Sequence, residues 1–285
     1  MASSFGARYN TFVNKTLDTV IHRWLRIPYV LHTTQFRSPK KPKATVVLIH
    51  GIGNSAKAWD ELIPLLPKNV RVIGIDLLGF GHSPRPDWVQ YSARTQARSV
   101  ARTLVRMRLL QPPILVGHSL GSLVAVETAK RYPFAIRQLV LCSPPFYAAP
   151  SDAKKLFPEY DELLRSLYRT AKKYPAQLVS VSPIAVQLGL ATKALNVNED
   201  NVASYIAALE ASIINQTSLR DVSVLKLPIT MFYGRFDPVV IAAHVKKLGN
   251  DIPNITAKPV LAGHEVIGGY TKLVAKEISK IVENS

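Results

Sequence analysis

Short apolar runs recur along the chain, separated by stretches whose apolar residues repeat at helical spacing. Thr45-Val46-Val47-Leu48-Ile49, Val70-Arg71-Val72-Ile73-Gly74-Ile75, Pro113-Ile114-Leu115-Val116, Leu139-Val140-Leu141 and Ile229-Thr230-Met231-Phe232-Tyr233 are such runs. Unbroken apolarity over so few residues suits strands covered on both faces. Asn254 to Leu261 reads as a last strand, interrupted by Pro259. Between the runs, Ser122 to Lys130 suits a helix ending near Tyr132-Pro133, and Gly269 to Val282 suits a closing helix. Strands alternating with helices predict an α/β protein, with a mostly parallel doubly wound central sheet and helices on both faces.

One connection departs from this rhythm. From Pro144 to Lys226 about 80 residues separate two core strands, where ordinary connections are far shorter. Helical patches are expected near Asp152 to Lys172, Ile184 to Leu195 and Glu199 to Asn215. The chain therefore divides into an amphipathic lead-in (1–36), a first core part (37–145), a helical insertion (146–226) and a second core part (227–285). Tyr174 to Thr192 carries no charge, but its two prolines, glutamines and hydroxyls argue against a membrane span.

Composition changes the picture in one respect. At 285 residues, 47% hydrophobic and 19% charged, the chain reads as globular, but its formal charge is +17. Residues 1–110 hold 17 Lys/Arg against 5 Asp/Glu. Arg94, Arg98, Arg102 and Arg106 recur every four residues on an expected helix, forming one slowly drifting stripe. Ahead of it, Phe12, Val13, Leu17, Val20, Ile21, Trp24 and Leu25 share a helical face, with Lys15, His22, Arg23 and Arg26 nearby. That is the pattern of an interfacial helix on an anionic membrane surface. It is equally the pattern of a helix packed on its own domain or on a second subunit. No nucleic-acid-binding motif accompanies the arginines, which otherwise read as a solvated face. The lone Cys142, on an expected strand, fits a reducing compartment, and the N-terminus lacks the apolar core of a signal peptide. A cytoplasmic location follows as the expectation. No phosphate cradle or metal-ligand spacing is present, so neither a metal nor a cofactor is expected.

The candidate chemistry centres on Gly117-His118-Ser119-Leu120-Gly121, a G-x-S-x-G pattern between an apolar run and an expected helix. A nucleophilic serine needs a sharp turn that exposes its hydroxyl, and the flanking glycines let neighbouring chain pass close by. Through this strand–elbow–helix arrangement the chain resembles the α/β-hydrolase superfamily, in its serine carboxylesterase and lipase-like branch. The resemblance implies an acid and then a histidine downstream of the serine. Gly234-Arg235-Phe236-Asp237-Pro238-Val239-Val240 resembles the acid-bearing loop, which makes Asp237 the acid. Of the 7 His, only His264, in Ala262-Gly263-His264, has the expected place for the base. His118 is expected to pack away from Ser119, and His244 to fall within a surface helix. His50-Gly51-Ile52-Gly53 resembles the family's H-G-x-G loop, which implies backbone N–H groups of Ile52 and Leu120 as the oxyanion site. Asp76-Leu77-Leu78-Gly79-Phe80-Gly81-His82-Ser83 resembles another family segment, with Asp76 holding the loop rather than reacting.

The resemblance further implies that the insertion is a lid over the serine, where Ile184, Val186, Leu188 and Leu190 either line an acyl pocket or pack the lid down. Ser119 stands where haloalkane dehalogenases and epoxide hydrolases carry Asp. Leu120 stands where proline iminopeptidases favour Trp, and Glu265 follows the base where many carbon–carbon hydrolases carry Trp. The expected activity is hydrolysis of a small-molecule carboxylic ester, thioester or lactone through an acyl-enzyme on Ser119. Carbon–carbon hydrolysis, acyl transfer to another acceptor, and a binding protein on a hydrolase fold are the alternatives. Oligomeric state is open at this point.

Overall fold

The computed structural model describes residues 16–147, 166, 169–187 and 197–284. Its seven strands are β1 (Thr33–Arg37), β2 (Ala44–Ile49), β3 (Val70–Ile75), β4 (Ile114–His118), β5 (Gln138–Cys142), β6 (Ile229–Gly234) and β7 (Ile255–Val260). They form one sheet in the order β1-β3-β2-β4-β5-β6-β7. β1 runs antiparallel to β3 and every other pairing is parallel. The helices used below are α1 (Ala93–Arg106), α2 (Leu120–Arg131), α3 (Pro175–Gln187), α4 (Val202–Ala208), α5 (Ser218–Ser223), α6 (Ala242–Asp251) and α7 (Gly269–Glu283).

The apolar runs are continuous because both faces of the sheet are covered. Val47, Ile49, Leu115 and Leu141 point to one face, where α1, α2 and α6 contribute Val100, Leu123 and Val245. Val46, Leu48, Val116 and Val140 point to the other, where α7 supplies Val274, Ile278 and Val282. No helix joins β2 to β3. Two 3-10 turns, Ala56–Trp59 and Ile63–Leu65, take its place, and Trp59 and Leu62 fill the second face. Pro259 is tolerated inside β7 because β7 is the edge of the sheet, where a missing N–H breaks no ladder.

β1 has no counterpart among the expected strands. Its sequence, Thr-Thr-Gln-Phe-Arg, has no buried residue, so no apolar run announces it. Between β5 and β6 the described chain is helical over α3, α4, a π-helical turn at Leu209–Ile214 and α5. Ala208, Ile213, Val222 and Leu225 join the core beside α2. The carboxyl half of the insertion is thus built into the main body. Of the four expected pocket residues only Ile184 has a described side chain, and it is exposed; Val186, Leu188 and Leu190 lie outside the described side chains. Among the described residues no helix is long and apolar enough to cross a membrane.

Candidate active site

Ser119, Asp237 and His264 follow the carboxyl ends of β4, β6 and β7, which a parallel sheet places on one side. Ser119 stands between β4 and α2 at φ 51° and ψ −119°, a conformation costly to a non-glycine residue, on the order of 1–3 kcal/mol. The turn is pinned on both sides. The Ser119 N–H donates to the Cys142 carbonyl at 3.0 Å, and the Ser122 hydroxyl donates to the Gly117 carbonyl at 2.8 Å. The flanking glycines serve close approach rather than unusual dihedrals. A Cβ on Gly117 would lie 2.4 Å from the Gly121 carbonyl oxygen, and one on Gly121 would lie 2.3 Å from that of Ile49.

His264 bridges the other two residues. Its Nε2 lies 3.0 Å from Ser119 Oγ and its Nδ1 lies 2.8 Å from Asp237 Oδ2. Gly234 makes this bridge possible, since a Cβ there would stand 2.3 Å from the Gly263 carbonyl oxygen. The loop before His264 can therefore lie across the end of β6. The Asp237 side chain is fully buried and its Oδ1 accepts the N–H groups of Val239 at 2.8 Å and Val240 at 3.2 Å. Burial alone pushes the Asp237 carboxyl up. The His264 hydrogen bond and charge, with the two N–H groups, outweigh burial and hold it below its ordinary value. The Tyr147 hydroxyl donates to the Val239 carbonyl at 2.5 Å and so braces the same loop.

The Leu120 N–H is the first of α2, where a helix leaves its donors without partners. Among the described residues neither it nor the Ile52 N–H donates a hydrogen bond. The loop carrying Ile52 is set by His50. Burial pushes the His50 imidazole down to about 4, so it is neutral. Its Nε2 accepts the Leu77 N–H at 2.9 Å, which assigns the proton to Nδ1, donating to the Gly51 carbonyl at 2.6 Å. Asp76 accepts the N–H groups of Ala56 at 2.7 Å and His82 at 2.9 Å, and lies away from the Ser119–His264–Asp237 chain. Gly81 closes against it at φ 52°, where a Cβ would lie 2.3 Å from the carboxyl carbon.

Two contacts and one electrostatic influence had no signal in the sequence. His118 is buried, and its Nε2 lies 3.0 Å from the His264 carbonyl oxygen, so it holds the backbone of the very residue that contacts Ser119. Burial pushes its imidazole down. His244 sits in α6 as expected but is buried rather than at the surface, with Nδ1 2.8 Å from the Phe146 carbonyl oxygen. The Tyr205 hydroxyl, on α4, is pushed up to about 12 by burial, with a smaller push from the charge of the Glu265 carboxylate. One oxygen of Glu265 is itself buried without a hydrogen-bond partner among the described residues. Among the described residues no cluster of His, Cys, Asp and Glu is placed to hold a metal ion.

A family model for the alpha/beta hydrolase fold matches residues 44–268, which include β2 through the loop after β7. The chain belongs to the alpha/beta hydrolase fold family. Over 225 residues it is 30% identical to a pimeloyl-[acyl-carrier protein] methyl ester esterase of Aeromonas hydrophila, covering 73% of this chain and 83% of that one. It is 36% identical over 121 residues to "Probable lysophospholipase BODYGUARD 2" of Arabidopsis thaliana, covering 41% of this chain and 26% of that protein. The chain thus spans only about a quarter of the length of that relative. The enol-lactonase of Burkholderia xenovorans LB400 has the same fold, with a TM-score of 0.68 at 18% identity over 89% of this chain and 96% of that one. This hydrolase-family chain has esterase-type homologues.

Proposed function

We propose that the chain is a serine hydrolase that cleaves carboxylic esters, thioesters or lactones through an acyl-enzyme on Ser119. The observation that carries this reading is the unbroken chain Ser119 Oγ–His264–Asp237, with links of 3.0 and 2.8 Å. Asp237, its carboxyl held low by His264 and by the N–H groups of its own loop, accepts from Nδ1 of His264 and leaves Nε2 free to take the serine proton. As Oγ attacks the substrate carbonyl, the N–H groups of Ile52 and Leu120 receive the developing oxyanion. Each such donor contributes about 3–4 kcal/mol of barrier lowering in comparable sites. The imidazolium then passes the proton to the departing alcohol or thiol. Water repeats the sequence on the acyl-enzyme and restores Ser119. No step requires a cofactor.

The insertion supplies the roof in this reading. Gln216 donates to the Pro145 carbonyl at 2.8 Å, which anchors the insertion beside the end of β5. The Aeromonas hydrophila relative is named for a methyl ester of a carrier-bound acid. A small ester on a larger acyl group is accordingly the substrate class to test first. A panel of p-nitrophenyl esters of increasing acyl length, with Ser119→Ala as control, tests the proposal. Turnover that vanishes in the control supports it, whereas equal turnover in both proteins or none in either overturns it.

A further inference from the structure

We propose that the arginine-bearing face of α1, together with the π-helical turn Thr19–Trp24 before β1, docks on an anionic lipid bilayer. Arg94, Arg98 and Arg106 are exposed along α1, Arg102 is half-buried between them, and Val105 stands in their midst at 78% exposure. Two depressions flank the stripe. The larger, about 610 Å³, is walled by Pro28, Leu104, Leu109 and Tyr132, with Arg102 and Arg108 at its border. Leu110, on its rim, is 98% exposed. The smaller, about 540 Å³, lies between α1 and the π-helical turn and is bordered by Arg23, Arg26 and Arg98. Arg98 belongs to both, and its guanidinium donates to the Arg26 carbonyl at 3.0 Å, so turn and helix form one surface.

The π-helical turn does not spend its apolar residues on the domain. Val20 and Ile21 are half-buried and His22 stacks on Tyr29 at 3.7 Å, but Leu17, Trp24 and Leu25 remain exposed. Trp24 is 73% exposed and sits with Leu25 between Arg23 and Arg26. Of the carboxylates near this face, Asp87, beside Trp88, is exposed, and three others are already engaged. Asp18 accepts from the Tyr29 hydroxyl, Glu127 pairs with Arg131, and Asp221 pairs with Lys130. Among the described residues Arg23, Arg26, Arg94, Arg102, Arg106 and Arg108 make no ion pair. The face thus presents unneutralised positive charge interleaved with exposed aliphatic side chains and a tryptophan.

That mixture selects among anionic partners. Phosphates of a nucleic acid would satisfy the arginines but leave Leu25, Val105 and Leu110 in water. A bilayer of anionic lipids takes both, since guanidinium groups meet the headgroups while Trp24 and the aliphatic side chains enter the acyl boundary. The larger depression lies at the amino end of β4, beside Pro112 and Pro113, whereas Ser119 follows the carboxyl end of that strand. Docking is therefore independent of the chemistry at Ser119.

The test is co-flotation of the full chain with vesicles of phosphatidylcholine alone and of equimolar phosphatidylcholine and phosphatidylglycerol. The chain binds the mixed vesicles and not the neutral ones. Arg94→Gln with Arg106→Gln weakens partitioning about 25-fold, at about fivefold per arginine. Trp24→Ser with Leu110→Ser weakens it at least about tenfold at the same ionic strength. Both doubles keep the melting temperature of the unaltered chain; should either not, Arg102→Gln with Arg108→Gln repeats the measurement on neighbouring side chains. An intact chain that ignores the mixed vesicles overturns the proposal. So does an apolar double that binds unchanged, or duplex DNA that displaces the vesicles at equal phosphate concentration.

Discussion

Nε2 of His118 lies 3.0 Å from the carbonyl oxygen of His264, which ties the loop of His264 to the residue that immediately precedes Ser119. The two rings stand 5.1 Å apart, centre to centre. His118 touches neither Ser119 Oγ nor Asp237 by hydrogen bond, so its role is to fix where the His264 ring sits. His118→Ala should lower kcat on a short ester between about tenfold and 100-fold, the scale of a misplacement near one ångström, with KM little changed. His118→Gln, which keeps an N–H donor, should recover part of the loss. Equal kcat in the alanine variant would remove His118 from the account.

Asp237→Asn keeps the shape of the acid loop but removes the charge that Nδ1 of His264 faces at 2.8 Å. An amide can present its N–H₂ to that nitrogen and stabilise the wrong tautomer. The expected loss in kcat is about 10³- to 10⁴-fold, measured under saturating substrate. The loss should shrink at high pH if hydroxide can attack without the base.

Glycines in and around the site should divide sharply. Gly117→Ala and Gly121→Ala each drive a methyl group to within 2.4 Å of a backbone carbonyl. Each should cost about 2–3 kcal/mol, lowering Tm by roughly 5–10 °C. Gly263→Ala meets nothing within 4 Å and should leave Tm unchanged. Calorimetry on the three variants checks the ordering.

Stability should fall on acidification through His50. Its imidazole is held neutral down to about 4 in the fold, against 6.5 when solvated. Between those values the unfolded chain binds the extra proton, so stability declines as pH falls from 6.5 toward 4, by roughly 3 kcal/mol in all. Asp76 and Asp237, whose carboxyls are held low, add further loss only at lower pH, as pH falls through their own folded values. His50→Gln should be less stable at pH 8 yet show a shallower decline across the same window. Chemical denaturation at a series of pH values measures both slopes.

Cys142 should be inert in the native protein. It is fully buried, and burial pushes its thiol well above the usual range. Native protein should not react with a disulfide reagent on the time scale at which denatured protein reacts completely. Rapid native labelling would contradict the packing of β5.

Much of the core was legible because its signals are local. β3 spans the very residues of the Val70–Ile75 run, and α7 begins at Gly269 as the periodicity predicts. The G-x-S-x-G elbow is equally local. What stayed hidden depends on partners distant in sequence. β1 becomes a strand only by pairing with β3, since its own residues bury too little to mark it. His118 and His244 are read by backbone carbonyls of His264 and Phe146, 146 and 98 residues away, and no side-chain pattern encodes a carbonyl. Helix α4 was legible over Glu199 to Asn215 as helix, but the influence of the Glu265 charge on its Tyr205 is a tertiary fact.

The central claim is that Ser119 becomes covalently acylated. The most direct measurement is intact-mass and peptide analysis of the full chain after a fluorophosphonate probe. One adduct is expected, on the peptide containing Ser119, abolished in Ser119→Ala and strongly slowed in His264→Ala. A folded protein that gains no adduct, or that carries it on another residue, would contradict it.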